Sequence, residues 1–445
     1  MKKIDLTKGK VLNVLITLAI PIMASSFLQF AYNIIDMIWV GNLGSDAVAS
    51  IGSASFFIGL GNSINSFVVI GTGIKVSHAI GEKKENEVKE YISSGIILNL
   101  FVALIYCIVV LIFGRNLIGF LNTGNPIVEN EAYKYLAING PILFFSFFNT
   151  LFIRIFNSFG NNKSALIINI IGIVVNIILD PIFIYGLKLG VSGAAIASLI
   201  GTVIVFLLLL YNGKTVLKIN KENIIDIIKI KEITILGTPM AMQRILFTLI
   251  NIILARIVGG FGSEAIAAQK IGLQIESIIY MVIGGLNGAI TSFVGQNYGA
   301  KQFRRINQGY NTSVGIGAIY SLFITIIFIF TPEVLVKLFI REQNTIHIAS
   351  NYLRIIGVSQ IFSTIEMISN GVFTGLGLPK IPAIISIVFT ILRIPIALIL
   401  IRFFDVNGIW LAISISSILK GVISYLIYKL RIWKEYKDVK CDQIT

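Results

Sequence analysis

Cysteine is nearly missing from this 445-residue chain. Its only two, Cys107 and Cys441, sit in an apolar stretch and in the C-terminal tail, which excludes a disulfide framework and a thiolate metal site. Histidine is also limited to two residues. No His or Cys cluster and no nucleophile motif is present, so a membrane enzyme has no support and no cofactor is implied. No GxxxxGK[ST] stretch occurs, so nothing on the chain points to ATP. Charge is scarce as well: 13% of residues are charged, against about 25% in a soluble domain.

What is present is apolar residue, at 56%. It recurs in long windows, and a membrane span needs about 20 such residues. Roughly twelve windows meet that standard, centred near Ser26, Gly61, Ala103, Phe145, Val174, Phe206, Ile245, Ile279, Ser321, Phe362, Ile391 and Ser417. In lipid every backbone polar group needs an internal partner, so the spans are helices. The alternation of period two that marks a closed barrel is missing. The first window is long, has no small-residue cleavage site and is followed by further spans, so it is not a cleavable signal. The expected class is an all-α polytopic membrane protein with twelve transmembrane helices.

The formal net charge is +14, and its placement argues against nucleic acid. The bases gather in the N-terminus and in every second connection: GEKKENEVKE, GNNKS, the stretch 212–232, GAKQFRRINQ, Lys380 and the tail. The odd connections carry fewer, namely Arg115, Lys188, Lys337, Arg341 and Arg402. The positive-inside rule then puts both termini in the cytoplasm, which requires an even number of spans. Within the sixth connection, KENIIDIIKIKE sets Ile224, Ile225 and Ile228 opposite Glu222, Asp226 and Lys229. This reads as an amphipathic surface helix in a linker between two halves.

The halves are copies. GSDAVAS at Gly44 matches GSEAIAA at Gly262, 218 positions on. The same offset pairs Pro21 with Pro239, Asn33 with Asn251, Gly41 with Gly259 and Gly81 with Gly299. FNSFGNNK at Phe156 matches FTGLGLPK at Phe373, and Pro181 matches Pro395. The expected organisation is an N-terminal six-helix lobe at 1–212, a cytoplasmic linker at 213–232, a C-terminal lobe at 233–431 and a tail at 432–445. Carriers built from parallel repeats bind substrate between the halves and rock around it.

Where the copies differ, the first half keeps acids. Asp36 faces Leu254 across the repeat, and Asp180 faces Ile394. Gln29, Asn33 and Asp36 share one helix face, as do Asn169, Asn176 and Asp180. Both aspartates fall near the outer ends of outward-running spans. An ionised, unpaired carboxylate there costs several kcal/mol, which binding of a proton or a sodium ion relieves. The reading in which one aspartate only caps a helix or pairs with a base stands beside it. Pro21 and Pro239 are hinges or packing kinks. Glu276 and Glu366 lie inside second-half spans; ion pairs with Arg244, Arg256, Arg354 or Arg393, or a role toward substrate, are both open. Lys75 and His78 are expected to snorkel. The glycines near Gly71 and Gly284 are expected to allow close helix packing.

Taken together, Pro21 with Asp36 fifteen residues later, WVGNLGSDAVA at Trp39, NIILDP at Asn176, GAAIAS at Gly193 and GQNYGAK at Gly295 resemble the MATE family, the multidrug and toxic compound extrusion transporters. The likeness runs over nearly the whole chain. It implies a V-shaped pair of six-helix lobes around a central cavity, and export of bulky, often cationic and aromatic drugs in exchange for protons or sodium. By the same resemblance, cation coupling falls on Asp36, Asn176, Asp180 and Ser198. The last keeps the hydroxyl of a family threonine. Candidate cavity residues are Gln29, Asn33, Asn149 and Asn169, with Pro21 as a hinge. One branch carries an acid in the seventh span after a GxP stretch. GTPMAMQRILFT at Gly237 has none, which places coupling in the N-terminal lobe and the subtype near the bacterial DNA-damage-inducible F (DinF-like) group. The resemblance implies a monomer in the inner membrane of a bacterial or archaeal cell. The rivals are a lipid-linked precursor flippase of the same superfamily and a passive channel. A flippase would favour a basic cavity; a channel would conduct without coupling.

Overall fold

A computed structural model describes residues 5–120, 125–214, 217 and 226–434. Helix follows helix in this order: α1 (Val11–Gly41), α2 (Ser45–Gly81), α3 (Glu85–Phe120), α4 (Pro126–Ser158), α5 (Asn162–Pro181), α6 (Gly190–Gly213), α7 (Ile227–Gly259), α8 (Ser263–Gly299), α9 (Phe303–Phe330), the short α10 (Pro332–Lys337), α11 (Gln343–Gly375), α12 (Lys380–Ile391), α13 (Arg393–Phe404) and α14 (Asn407–Ile427). Wider π-type turns extend α5 over Ile182–Gly186 and α14 over Tyr428–Ile432. Helices α12 and α13 are two pieces of one pass, Lys380–Phe404.

Eleven passes among the described residues are long and apolar enough to cross a membrane. The twelfth, α11, has 33 residues but is too polar for that standard. Its polar side chains point inward, with Gln360, Ser363, Thr364, Glu366 and Ser369 all buried. The lipid faces of other helices are strongly apolar: Ile105 and Ile112 on α3, and Ile319 and Phe323 on α9, are more than half exposed. The chain is a multi-pass membrane protein.

The helices form two compact units, and the boundary is not at the linker expected over 213–232. One unit is built on Ala24–Ala241; the other takes Leu6–Met23 and the chain from Met242 onward. The cuts fall inside α1 and α7, each two residues beyond the repeated prolines Pro21 and Pro239. Of the expected amphipathic segment, Glu222, Ile224 and Ile225 lie outside the described residues. Its described end is the first part of α7, because the Asp226 carboxylate accepts from the amides of Ile228 and Lys229 and starts the helix there. Each unit has its own apolar core. One centres on Phe147, Phe152 and Phe156 of α4, the other on Tyr352, Leu353 and Trp410.

Glycine fixes how the exchanged half-helices pack. In the first unit, a Cβ on Gly237 of α7 would stand 1.8 Å from the Phe67 carbonyl of α2, and one on Gly71 of α2 would stand 2.1 Å from the Ile233 carbonyl. In the second unit the counterparts of Gly237 and Phe67 are Ala19 and Gly285. There a Cβ on Gly285 would stand 2.1 Å from Met23 and 3.2 Å from the Ala19 carbonyl. The close crossing persists while the glycine changes helices. This bears out the packing reading of the glycine runs.

Polar anchors reinforce each crossing. The Lys75 ammonium lies 2.7 Å from Glu232, Tyr91 donates to the same carboxylate at 2.6 Å, and Lys229 lies 3.0 Å from Glu90. Lys75 therefore pairs across helices and does not snorkel. In the second unit, Leu6 donates its amide to the Gln296 side chain at 3.1 Å, and Asn297 donates to the Leu6 carbonyl at 3.1 Å. Arg305 reaches the carbonyls of Lys8 and Gly9 at 2.7 Å each.

Candidate cation-coupling site

The site belongs wholly to the first unit and is assembled by α1, α4, α5 and α6. Helix α5 brings Gly172, Asn176 and Asp180 to one buried stripe with a spacing of four. Gly172 lets α6 approach, since a Cβ there would meet Val205 at 2.3 Å. Gly201 does the same from α6, lying against Asn176. That contact lets Asn176 donate to the Ser198 hydroxyl at 3.2 Å. From α1, the Tyr32 hydroxyl meets Ser198 at 3.3 Å. Thr202 bonds back to the Ser198 carbonyl at 2.7 Å, which holds this turn of α6.

Asp180 is 0% exposed, and neither of its oxygens has a hydrogen-bond partner among the described residues. Oδ1 of Asp36 and Oδ1 of Asn176 are likewise buried without a partner. No Lys, Arg or His lies within ion-pair distance of either aspartate among the described residues. The two carboxyls and the hydroxyls of Tyr32 and Tyr135 are within electrostatic range of one another. Asp180 also precedes Pro181, where α5 changes to a π-type turn closed by the Leu187 amide on the Ile182 carbonyl at 2.8 Å. Such turns recur at functional sites.

The expected residues do not all gather here. Asp36, Asn176, Asp180 and Ser198 do. Gln29 and Asn33 are exposed and bonded to each other at 3.3 Å, so the α1 stripe divides below Asp36. Asn149 is buried and donates to the Thr202 carbonyl at 3.0 Å, and Asn169 donates to Ser25 at 3.1 Å. Pro21 lies within α1, in the part that belongs to the other unit. Tyr32 and Tyr135 were missed. Tyr32 had a signal, since it sits four residues before Asp36 on the same face. Tyr135 had none, because only the packing of α4 brings it near.

Among the described residues the second unit has no counterpart of this site. The repeat partners of Tyr32, Asp36 and Asp180 are Ile250, Leu254 and Ile394, and all three belong to one apolar cluster. Gly193 and Gly408 occupy equivalent crossings against the preceding segment, at Phe183 and Leu400. That equivalence sets Ile413 opposite Ser198, in the same cluster.

The second unit's own charges lie elsewhere. Glu366 pairs with Lys420 at 3.1 Å, both buried. The partner is a lysine of α14 and none of the arginines expected. Glu276 accepts from Tyr352 at 2.6 Å. Arg393 is held by Ser416 at 3.0 Å and Ser417 at 3.4 Å, within electrostatic range of both glutamates. Ion pairing is realised for Glu366; Glu276 is satisfied by a tyrosine.

The MatE family model matches residues 21–182 and again 239–399, once in each repeat. The chain belongs to the MATE family. Among full-length relatives, this MATE protein is 27% identical to the probable multidrug resistance protein YoeA of Bacillus subtilis, over 94% of the chain and 93% of the relative. It is 25% identical to the probable multidrug resistance protein NorM of Thermotoga maritima, over 95% and 93%. It is also 25% identical to the multidrug export protein MepA of Staphylococcus aureus strain MW2, over 95% of each. A crystal structure of a MATE protein in a bent conformation superposes with a TM-score of 0.92 at 23% identity, covering 99% of this chain and 100% of that one. A MOP-superfamily transporter from Pyrococcus furiosus superposes at 0.90 and 23% identity, covering 98% and 99%. These likenesses establish the MATE fold.

Proposed function

We propose that this MATE protein is a secondary active multidrug exporter that exchanges bulky, often cationic and aromatic compounds for a proton or a sodium ion. The ion is taken at Asp36 and Asp180. One observation carries the reading: a buried aspartate and its neighbours present four oxygens with no partner. They are both oxygens of Asp180, Oδ1 of Asp36 and Oδ1 of Asn176. An unpaired buried carboxylate is too costly to persist ionised. A proton neutralises it directly, and four oxygens of this hard type also suit a small hard cation. Ser198, Tyr32 and Asn176 fix the rotamers around the acids through their shared hydrogen bonds.

The names of the relatives support drug export as the physiological task. In the proposed cycle, loading of the two acids removes their mutual repulsion and lets α1 and α5 pack more closely. The outer ends of these helices then shift, drug is released, and the cation leaves on the other side as new drug enters. The proposed setting is the cell membrane of a bacterium or archaeon, with both termini cytoplasmic and a single chain working alone.

The test is dye export from proteoliposomes with proton and sodium gradients imposed separately. Export should follow one of the gradients and vanish in Asp36→Asn, while that variant still purifies as a folded monomer. Flux of equal size with no gradient would replace the exporter with a channel.

A further inference from the structure

A cleft of about 360 Å³ lies where α8 gives way to α9, lined by Thr7, Lys301, Gln302, Phe303, Arg304, Arg305 and Gln308. Ligand sites begin at about 300 Å³. Three of the seven lining residues are bases and none is an acid. Arg305 is committed to the carbonyls of Leu6, Lys8 and Gly9 and lies over the Phe293 ring. Lys301 and Arg304 are exposed, and among the described residues neither lies within ion-pair distance of an acid. The cleft sits at the ends of two long apolar helices, so its depth is that of the lipid headgroups.

The repeat supplies an internal comparison. The same connection in the first unit is GEKKENEVK from Gly81, with Lys83, Lys84 and Lys89; the second is GAKQFRR from Gly299, with Lys301, Arg304 and Arg305. Lys83 and Lys301 even share the left-handed backbone, at φ 59° and 57°. Both loops therefore carry three bases, and the rule that orients a membrane protein counts only bases. What differs is the acids. In the first loop Lys84 is paired with Glu82 at 2.6 Å and Glu87 at 3.1 Å. In the second, Ala300 and Arg305 occupy the places of those two glutamates. Lys84 itself corresponds to Gln302, and Asn86 to Arg304, so the second turn places its bases at other positions and, over 300–308, carries no acid among them; orientation gives no reason for that contrast.

We propose that this cleft binds the phosphate of an anionic phospholipid in the leaflet that meets the basic helix ends. Lys301 and Arg304 hold the anionic headgroup, Thr7 and Gln308 offer polar contacts beside it, and the acyl chains lie along the apolar flank of α9. Basic recesses beside membrane helices take anionic headgroups in this way. Because Thr7 precedes α1 and the anchor through Arg305 fixes the same segment, a bound headgroup also braces the start of α1.

The test measures thermal unfolding of the purified full chain in neutral detergent, with phosphatidylglycerol, phosphatidylcholine or inorganic phosphate added. The expected result is a rise in midpoint with phosphatidylglycerol alone. The rise should be lost in Lys301→Gln/Arg304→Gln and restored in Lys301→Arg/Arg304→Lys. It should persist in Lys83→Gln/Lys163→Gln, which removes the same charge elsewhere. An equal rise in the Lys301/Arg304 variant and the unaltered protein would overturn the site. So would an equal loss in the Lys83/Lys163 variant, which would reduce the effect to overall charge. A full rise with inorganic phosphate would replace the lipid with a soluble anion.

Discussion

Asp180 and Glu366 are both buried acids, and they answer a mutation differently because one is paired and the other is not. Glu366 lies 3.1 Å from Lys420. Glu366→Gln leaves the ammonium buried alone, and removing one member of such a pair costs about 3–5 kcal/mol. The double variant Glu366→Gln/Lys420→Met should recover most of that loss in a detergent unfolding assay. Failure to recover would mean that the pair is not a self-contained unit. Asp180 has no hydrogen bond to lose. Asp180→Asn should therefore change stability by no more than about 1 kcal/mol while abolishing gradient-driven export. A marked drop in unfolding midpoint in that variant would show a structural partner instead.

The division between the units cuts α7 into two pieces just beyond Pro239. The first piece lies against α2 at a separation that admits no Cβ at Gly237. Gly237→Ala should cost about 1–3 kcal/mol, the usual range for forced overpacking, or prevent recovery of folded protein. Gly260→Ala in the connection after α7, where a Cβ would stay 3.2 Å from the nearest atom, should cost clearly less. Equal losses would sink the crossing argument. Tyr91→Phe removes a single bond to Glu232 and should cost about 1 kcal/mol. At this scale the sequence was informative about position and poor about partnership. Every window centre falls inside a helix of the structure, including Phe362 of the polar α11, because long apolar runs signal spans directly. The stripe of Asn176 and Asp180 was readable from spacing alone. Tyr135 and Lys420 were not readable, because each reaches its site from a helix remote in sequence. The expected amphipathic segment is described only from Asp226 onward, where it runs into α7 with Ile227 and Ile228 exposed.

Across the whole chain, the duplication was legible in paired motifs, and the divergence at Asp36 and Asp180 pointed to one half as the seat of chemistry. The structure shows what stands at the matching positions of the other half: Ile250, Leu254, Ile394 and Ile413, all in one apolar cluster. Introducing an acid there, as Leu254→Asp, should fail to create a second coupling site and should destabilise by several kcal/mol, the cost of an unpartnered buried carboxylate. Wild-type stability together with altered ion stoichiometry in flux measurements would contradict this.

The boundary between the units also bears on the descent of the molecule. Each half-length copy surrenders the segment that leads into and opens its first helix, Leu6–Met23 or Ile227–Ala241, to the opposite unit. A stand-alone ancestor of this shape would leave raw backbone and a vacant glycine notch at one edge. It could complete itself by trading that stretch with a twin, as swapped dimers do. Severing the present chain in the 213–226 stretch should accordingly yield two fragments that are recovered together when co-produced and degraded when produced singly. Survival of either fragment by itself would tell against reciprocal dependence.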